Sequence, residues 1–386
     1  MTAVRTVVTA MTLTIAAGVA AVVPAPGFAS VATVARRAVA PAADWLNALP
    51  GYRFAFPADH ASHPAYKIEW WYYTGNLQTA SGRRFGYQVT FFRVGVDPSP
   101  VNPSRWAVRD LYMTHLAVSD PAGQRYRFEE RLNRGGPGLA GADIDRYHVW
   151  NDDWTAALDA SGHHVIRAAG RRGGIDLVLD EGKAPAVNGL DGISQKGAQI
   201  GNASHYYSLT RMPTRGVIAI DGERFEAAGE SWMDHEFGTS FLEPEQRGWD
   251  WLSIQLADGR ELMLYQLRRA DGSRDPRSSG TLVDSSGRTR HLSEADFTMA
   301  AGRTFRAPSG ATYPVRWTVR IPGEELTLDV TTPLENQELS TEAARVSYWE
   351  GLIDVSGTSR GAPVSGRGYL EMTGYRASLG RVLSGR

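Results

Sequence analysis

From Lys67 onward the chain reads as short runs of β-forming residues separated by turn chemistry. The run KIEWWYYTGNL is dense in aromatic and branched residues, and Ala80-Ser81-Gly82 supplies a turn. FGYQVTFFRVGV follows, with Phe85, Tyr87, Val89 and Phe91 at period two, which predicts a hairpin with one aromatic face turned inward. DLYMTHLAVSD (110–120), YRFEERL, YHVWNDDWTAAL, HHVIRAA and IDLVLD continue the meander. Turns fall at Pro121-Ala122-Gly123, Ser161-Gly162 and Gly173-Gly174. After a Gly- and Pro-spaced loop between 183 and 196, ASHYYSL (203–209) and GVIAIDGERFEAAGES (216–231) restore the strand pattern. Evenly spaced strands joined by hairpin turns predict an up-and-down barrel. One helix start stands out, the capping-type pattern Ser293-Glu294-Ala295-Asp296.

The second half repeats the opening of the first. GWDWLSIQLADGRELMLYQLRR lays down a Trp-rich strand, a turn and a strand carrying Tyr-Gln, as does EWWYYTGNLQTASGRRFGYQVTFFR. The repeat sets Trp71 and Trp251 at equivalent positions of two barrels, with turns at Ala80–Arg83 and Asp258-Gly259. A chain of 386 residues is too long for one ordinary core. The expected organisation is all-β with one or two short helices, an N-terminal domain over 44–237 and a C-terminal domain over 238–386.

Before these domains, an apolar Ala-, Val- and Thr-rich run from Thr6 to Val23 follows Arg5, and Gly27 and Ala29 sit as a small-residue cleavage site. This predicts a Sec-type signal peptide over 1–29, a disordered leader over 30–43, and a secreted or periplasmic protein. The chain has no cysteine, hence no lipobox thiol and no disulfide-linked partner. Stability must rest on buried area, which 11 Trp, 15 Tyr and 12 Phe can supply. A net charge of −1 argues against a nucleic-acid partner.

Chemistry concentrates in GESWMDHEFG, where Asp234, His235 and Glu236 sit among tryptophans. Strand alternation sends both acids to one face and His235 to the other. Two acids near aromatic walls could protonate an alkene or activate water; the same triplet could equally be a hydrogen-bonded lock between domains. Gly229-Glu230-Ser231-Trp232-Met233 begins like a G-x-S-x-G string, but Met233 replaces its last glycine and no strand-to-helix turn follows, so the residues do not support a serine hydrolase with Ser231 as nucleophile. The nine histidines show no linear metal-ligand spacing, and neither a metal nor another cofactor is expected. Trp70, Trp71, Tyr72, Gln88, His115, Tyr207 and Trp232 recur at strand positions of the first barrel and form the candidate ligand-binding set. His115 is by default a satisfied core histidine.

Several strings resemble one family in order: EWWYYTGNL, THLAVSD, GISQKG with ASHYYSLTR, GESWMDHEFG, GWDWLSIQLADGRELMLYQLR, and YWEGLIDVSG with GRGYLEMTGY. Together they resemble the AttH-like group of the carotenoid 1,2-hydratase (hydroxyneurosporene synthase) family, often labelled predicted secreted hydrolases. The resemblance implies two lipocalin-like barrels side by side and chemistry on greasy polyenes. Of the family's acting residues, His235 and Tyr265 match, whereas Phe237 and Leu267 stand where a Trp and an Asp are expected. The candidate catalytic set is therefore Asp234, His235, Glu236 and Tyr265. The function expected is action on an apolar small molecule (polyene, isoprenoid or lipid-like) as a hydratase or isomerase. The alternative is a carrier that delivers such a ligand to a transporter component.

Overall fold

Alternating aromatic and branched residues leave the backbone little choice but extended pairing. In the computed structural model, which describes residues 44–239, 242–341 and 346–379, every regular element is a strand or a single 3-10 turn. The expected signal peptide and leader lie outside the described residues. The helix start at Ser293 is realised as one 3-10 turn, Glu294–Asp296, closed by a reciprocal capping box between Ser293 and Asp296.

In the first sheet the strand Ile68–Gln78 lies between Arg84–Gly95 and Glu223–Gly238, antiparallel to both. Asp110–Asp120 and Arg125–Arg134 extend one side. On the other, Ala203–Ile220 and Gly173–Leu179 lead through shorter strands to Ala140–Ala142, whose first residue bridges back to Gly135. The sheet is thus a nearly closed barrel. The second sheet follows the same plan, with Gln246–Leu256 between Glu261–Arg269 and Ala362–Met372, and Ser347–Ser359 beyond the last. This is the all-β, lipocalin-like architecture expected.

Each sheet encloses its own apolar core. Trp71, Tyr73, Tyr87 and Trp154 fill the first, and Trp317, Trp349 and Tyr313 the second. A third cluster belongs to neither interior. Tyr72, Tyr206 and Trp232 from the first sheet meet Trp251, Met263, Tyr265, Leu352 and Tyr369 from the second. The seam closes tightly where Gly86 meets Leu352, whose Cδ2 lies 2.5 Å from where a Cβ on Gly86 would stand.

The proposed equivalence of Trp71 and Trp251 does not hold. Both hairpin turns close with the same hydrogen bonds, Thr79 N–H to Arg83 O in one and Leu256 N–H to Arg260 O in the other. Matching those turns sets Trp249 against Tyr72. Trp71 points into the first barrel and Trp251 into the seam. Both segments carry aromatics on both faces, so residue type does not report register, and a one-residue slip exchanges inside for outside.

Candidate functional site in the seam

Register fixes which side chains meet. Tyr72 lies opposite Asp234 and Trp70 opposite Glu236, while Trp71 lies opposite His235. Asp234 and Glu236 therefore face the seam and His235 the barrel interior, as alternation predicts.

Asp234 is held by three donors: Ser208 Oγ at 2.5 Å and Trp232 Nε1 at 2.6 Å on Oδ1, and the Tyr206 hydroxyl at 2.6 Å on Oδ2. Burial nevertheless pushes its pKa up to about 7, against the pull of those donors. Glu236 accepts from Ser204 and pairs with Lys196 Nζ at 3.1 Å. Burial works against the Lys196 ammonium, but Glu236 and its neighbours outweigh it and hold the pKa above the ordinary lysine value. The same ammonium lies 4.6 Å from the Tyr265 ring centroid, and the Tyr265 hydroxyl bonds Ser194 Oγ at 2.9 Å.

The facing sheet contributes two more acids that sequence reasoning passed over. Glu350 and Glu371 are direct cross-strand partners on the seam face. Burial, then repulsion from Glu371, holds Glu350 well above the usual carboxylate range. Burial and the charges of Asp234 and Glu236 bring Glu371 to about 7. Both acids lie inside strings already quoted for the family resemblance, YWEGLIDVSG and GYLEMTGY, and Lys196 lies inside GISQKG. Those strings were the available signal.

On the seam face several polar groups are poorly satisfied. Glu350 Oε1, the hydroxyls of Tyr72, Tyr126 and Tyr369, Gln88 Oε1 and His115 Nε2 are all buried and make no hydrogen bond of standard geometry. The Tyr72 hydroxyl is nonetheless directed at the Glu350 carboxylate, and the Tyr369 hydroxyl at Ser119, in contacts short of standard hydrogen-bond geometry. Each buried orphan costs about 1–3 kcal/mol, so a cluster on one face marks a place where polar parts of a ligand or water belong. Two surface grooves, of about 490 Å³ and 670 Å³, are lined by other residues and touch none of these acids. The seam is the better candidate, because chemistry and unmet polar atoms coincide there.

The structure divides both candidate sets. Asp234, Glu236 and Tyr265 share the seam, but His235 does not join them. Its Nε2 meets Glu69 Oε1 at 3.0 Å and its Nδ1 the Tyr207 hydroxyl at 2.9 Å, inside the first barrel. Burial lowers the His235 pKa to about 4. Trp70, Tyr72, Gln88, His115 and Trp232 lie on the seam face, whereas Trp71 and Tyr207 are packed in the interior core. The candidate ligand-binding set is thus divided by the period-two alternation, with Trp70 and not Trp71 on the seam face. His115 is not a core histidine: it crosses the seam to the Tyr348 hydroxyl at 2.5 Å, and burial holds its pKa at about 3. The Ser231 hydroxyl meets the hydroxyls of Tyr87 and Thr214, neither of which is a general base.

The AttH-like family model matches residues 47–375. The chain belongs to the AttH-like family. A Nitrosomonas europaea protein assigned as an AttH (NE1406), known from its crystal structure, is 34% identical, with a TM-score of 0.78 over 86% of this chain and 99% of that one. Kievitone hydratase from Nectria haematococca has the same fold, with a TM-score of 0.66 at 16% identity over 87% of this chain and 98% of its own. Among curated proteins, the dehydratase asqC of Emericella nidulans is 22% identical over 69% of this AttH-like chain and 77% of its own length.

Proposed function

We propose that this AttH-like protein is an exported hydro-lyase that adds water to, or removes it from, an apolar unsaturated small molecule held in the seam. The observation that carries the reading is the Glu350–Glu371 pair: two buried, cross-strand acids with raised pKa values, beside unmet hydroxyls and aromatic walls. An acid protonated at neutral pH can deliver its proton to an alkene carbon. The cation left on the neighbouring carbon is stabilised by the faces of Trp251 and Tyr72, and water adds to it. The incoming water returns its proton to the carboxylate, so the step closes on itself; dehydration is its reverse. Glu350 is the better donor than Asp234, because Asp234 accepts from three donors, whereas Glu350 faces the Tyr72 hydroxyl and its Oε1 makes no hydrogen bond of standard geometry. Asp234 and Tyr206 then position the wall, and Lys196 pairs with Glu236 beside them. A hydratase and a dehydratase among the proteins this chain is similar to support the reaction class.

The test is to incubate the purified protein with polyenes, isoprenoids and fatty acids in isotopically labelled water and follow gain or loss of one water by mass spectrometry. At least one class should react, and Glu350→Gln should lose about 100-fold or more in turnover while still quenching tryptophan fluorescence on binding. Saturable binding without any turnover would leave a carrier, and no binding at all would defeat both readings.

A further inference from the structure

The polar chain that crosses the first barrel is one proton short. Glu181 Oε1 meets His60 Nε2 at 3.1 Å, and His60 Nδ1 meets the Tyr207 hydroxyl at 2.7 Å. That hydroxyl meets His235 Nδ1 at 2.9 Å, and His235 Nε2 meets Glu69 at 3.0 Å. A carboxylate at either end can only accept, so these four contacts need four protons; two neutral imidazoles and one phenol hold three, and the phenol also lies 3.2 Å from the Asp59 carbonyl, a competing acceptor. A positive centre at the Glu181 end removes the shortage. With Nε2 of His60 bound to a cation, its Nδ1–H donates to Tyr207, Tyr207 donates to His235, and His235 donates to Glu69.

A second histidine is aimed at the same spot. His164 is fully buried, its Nδ1 is held by the Tyr73 hydroxyl at 2.9 Å, and its Nε2 faces Glu181 without a hydrogen bond of standard geometry. That Nε2 stops 3.6 Å from Glu181 Oε1, too far for a hydrogen bond. The ligating atoms of His60, His164 and Glu181 all lie within 4.8 Å of one another. Tetrahedral ligands about 2.1 Å from a zinc-class ion stand about 3.4 Å apart, which the 3.1 and 3.6 Å separations straddle. Each histidine has its other nitrogen fixed by a tyrosine, the outer-shell arrangement that orients metal-binding imidazoles. Glu181 is about one-third exposed, which leaves an entry path and a position for water.

We propose that His60, His164 and Glu181 bind a divalent ion of the zinc–cobalt class at the rim of the first barrel. The ion ties the 3-10 turn Ala58–His60 to the start of the strand His164–Ala169. The other histidine–carboxylate group, His63, Glu69 and His235, does not qualify, because Arg93 already pairs with Glu69 at 3.0 Å and would repel a cation. Linear spacing concealed the proposed site, since its ligands come from three distant segments.

Metal-stripped protein titrated with Co²⁺ should develop visible d–d absorption that saturates at one ion per chain and is displaced by Zn²⁺. Glu181→Gln and His164→Gln should each weaken binding at least tenfold, whereas His163→Gln, the adjacent histidine, should leave it unchanged. Tyr207→Phe, which ligates nothing, should weaken binding by roughly tenfold through the orientation of His60. Glu181 lies at the rim, so its variant is a fair test even if His164→Gln fails to fold. Absence of the bands, or equal Co²⁺ affinity in wild type and Glu181→Gln, would overturn the proposal.

Discussion

At the scale of single residues, the seam shows burial outweighing hydrogen bonding. Asp234 accepts three hydrogen bonds and still reaches a pKa of about 7, because desolvation is the larger effect. The consequence for stability follows from proton counting. In the unfolded chain the group titrates near 3.8, so between there and about 7 the folded state holds a proton that the unfolded state has released. Stability from Asp234, and likewise from Glu371, therefore falls as pH rises through that window. Glu69 acts oppositely: burial raises its pKa, but Arg93, His235 and His63 hold it well below 4.5, and its contribution is lost as pH falls towards acid. Urea denaturation at pH 5 and pH 8 should show the first trend, and Asp234→Asn should flatten it. Lys196 gives a second check. Lys196→Met leaves Glu236 buried without its cation and should cost about 3–5 kcal/mol. Adding Glu236→Gln should restore at least half of that; a purely additive double mutant would mean the pair is not coupled.

At the scale of strands, what could be read in advance was alternation, and what could not was register between strands. The split of Asp234 and Glu236 from His235 follows from sequence, as do the turns at 80–83 and 258–259. Which residues of other strands share the seam does not: Glu350 meets Glu371, and His115 meets Tyr348, only through long-range pairing. Trp70 and Trp71 are chemically alike yet face opposite ways, and only the pairing of the whole sheet decides which. The candidate cation ligands were illegible for the same reason, since no linear motif links a 3-10 turn, a strand start and a loop. Gly86 tests how closely the two sheets must approach. A methyl there would stand 3.2 Å from Leu352 Cβ as well as against its tip, so Leu352 cannot move aside by rotation alone. Gly86→Ala should cost about 1–3 kcal/mol, and Leu352→Ala in the same chain should recover part of it. A neutral Gly86→Ala would show that the seam is looser than its geometry implies.

At the scale of the whole molecule, the two barrels are joined by more than an apolar face. Lys183 and Arg211 from the first sheet's side converge on the fully buried Glu261 of the second, at 2.8 and 2.6 Å. Gln255 donates to the backbone oxygens of Thr210 and Ser231, and Ser119 donates to Gln337. Separating the barrels would leave these groups without partners and expose Tyr72, Tyr206, Trp232 and Trp251 together. Polar rim contacts alone would permit relative motion, but a large apolar seam with buried ion pairs does not. The barrels should therefore unfold as one cooperative unit: scanning calorimetry should show a single transition whose calorimetric and van 't Hoff enthalpies agree. Glu261→Ala strands Lys183 and the Arg211 Nε contact beside an empty site, so it should lower the midpoint and broaden the transition as the barrels begin to part. Two resolved transitions in the unmodified protein would show that the seam is a docking surface between independent barrels, and would remove the rigid framework on which the Glu350–Glu371 acid pair depends.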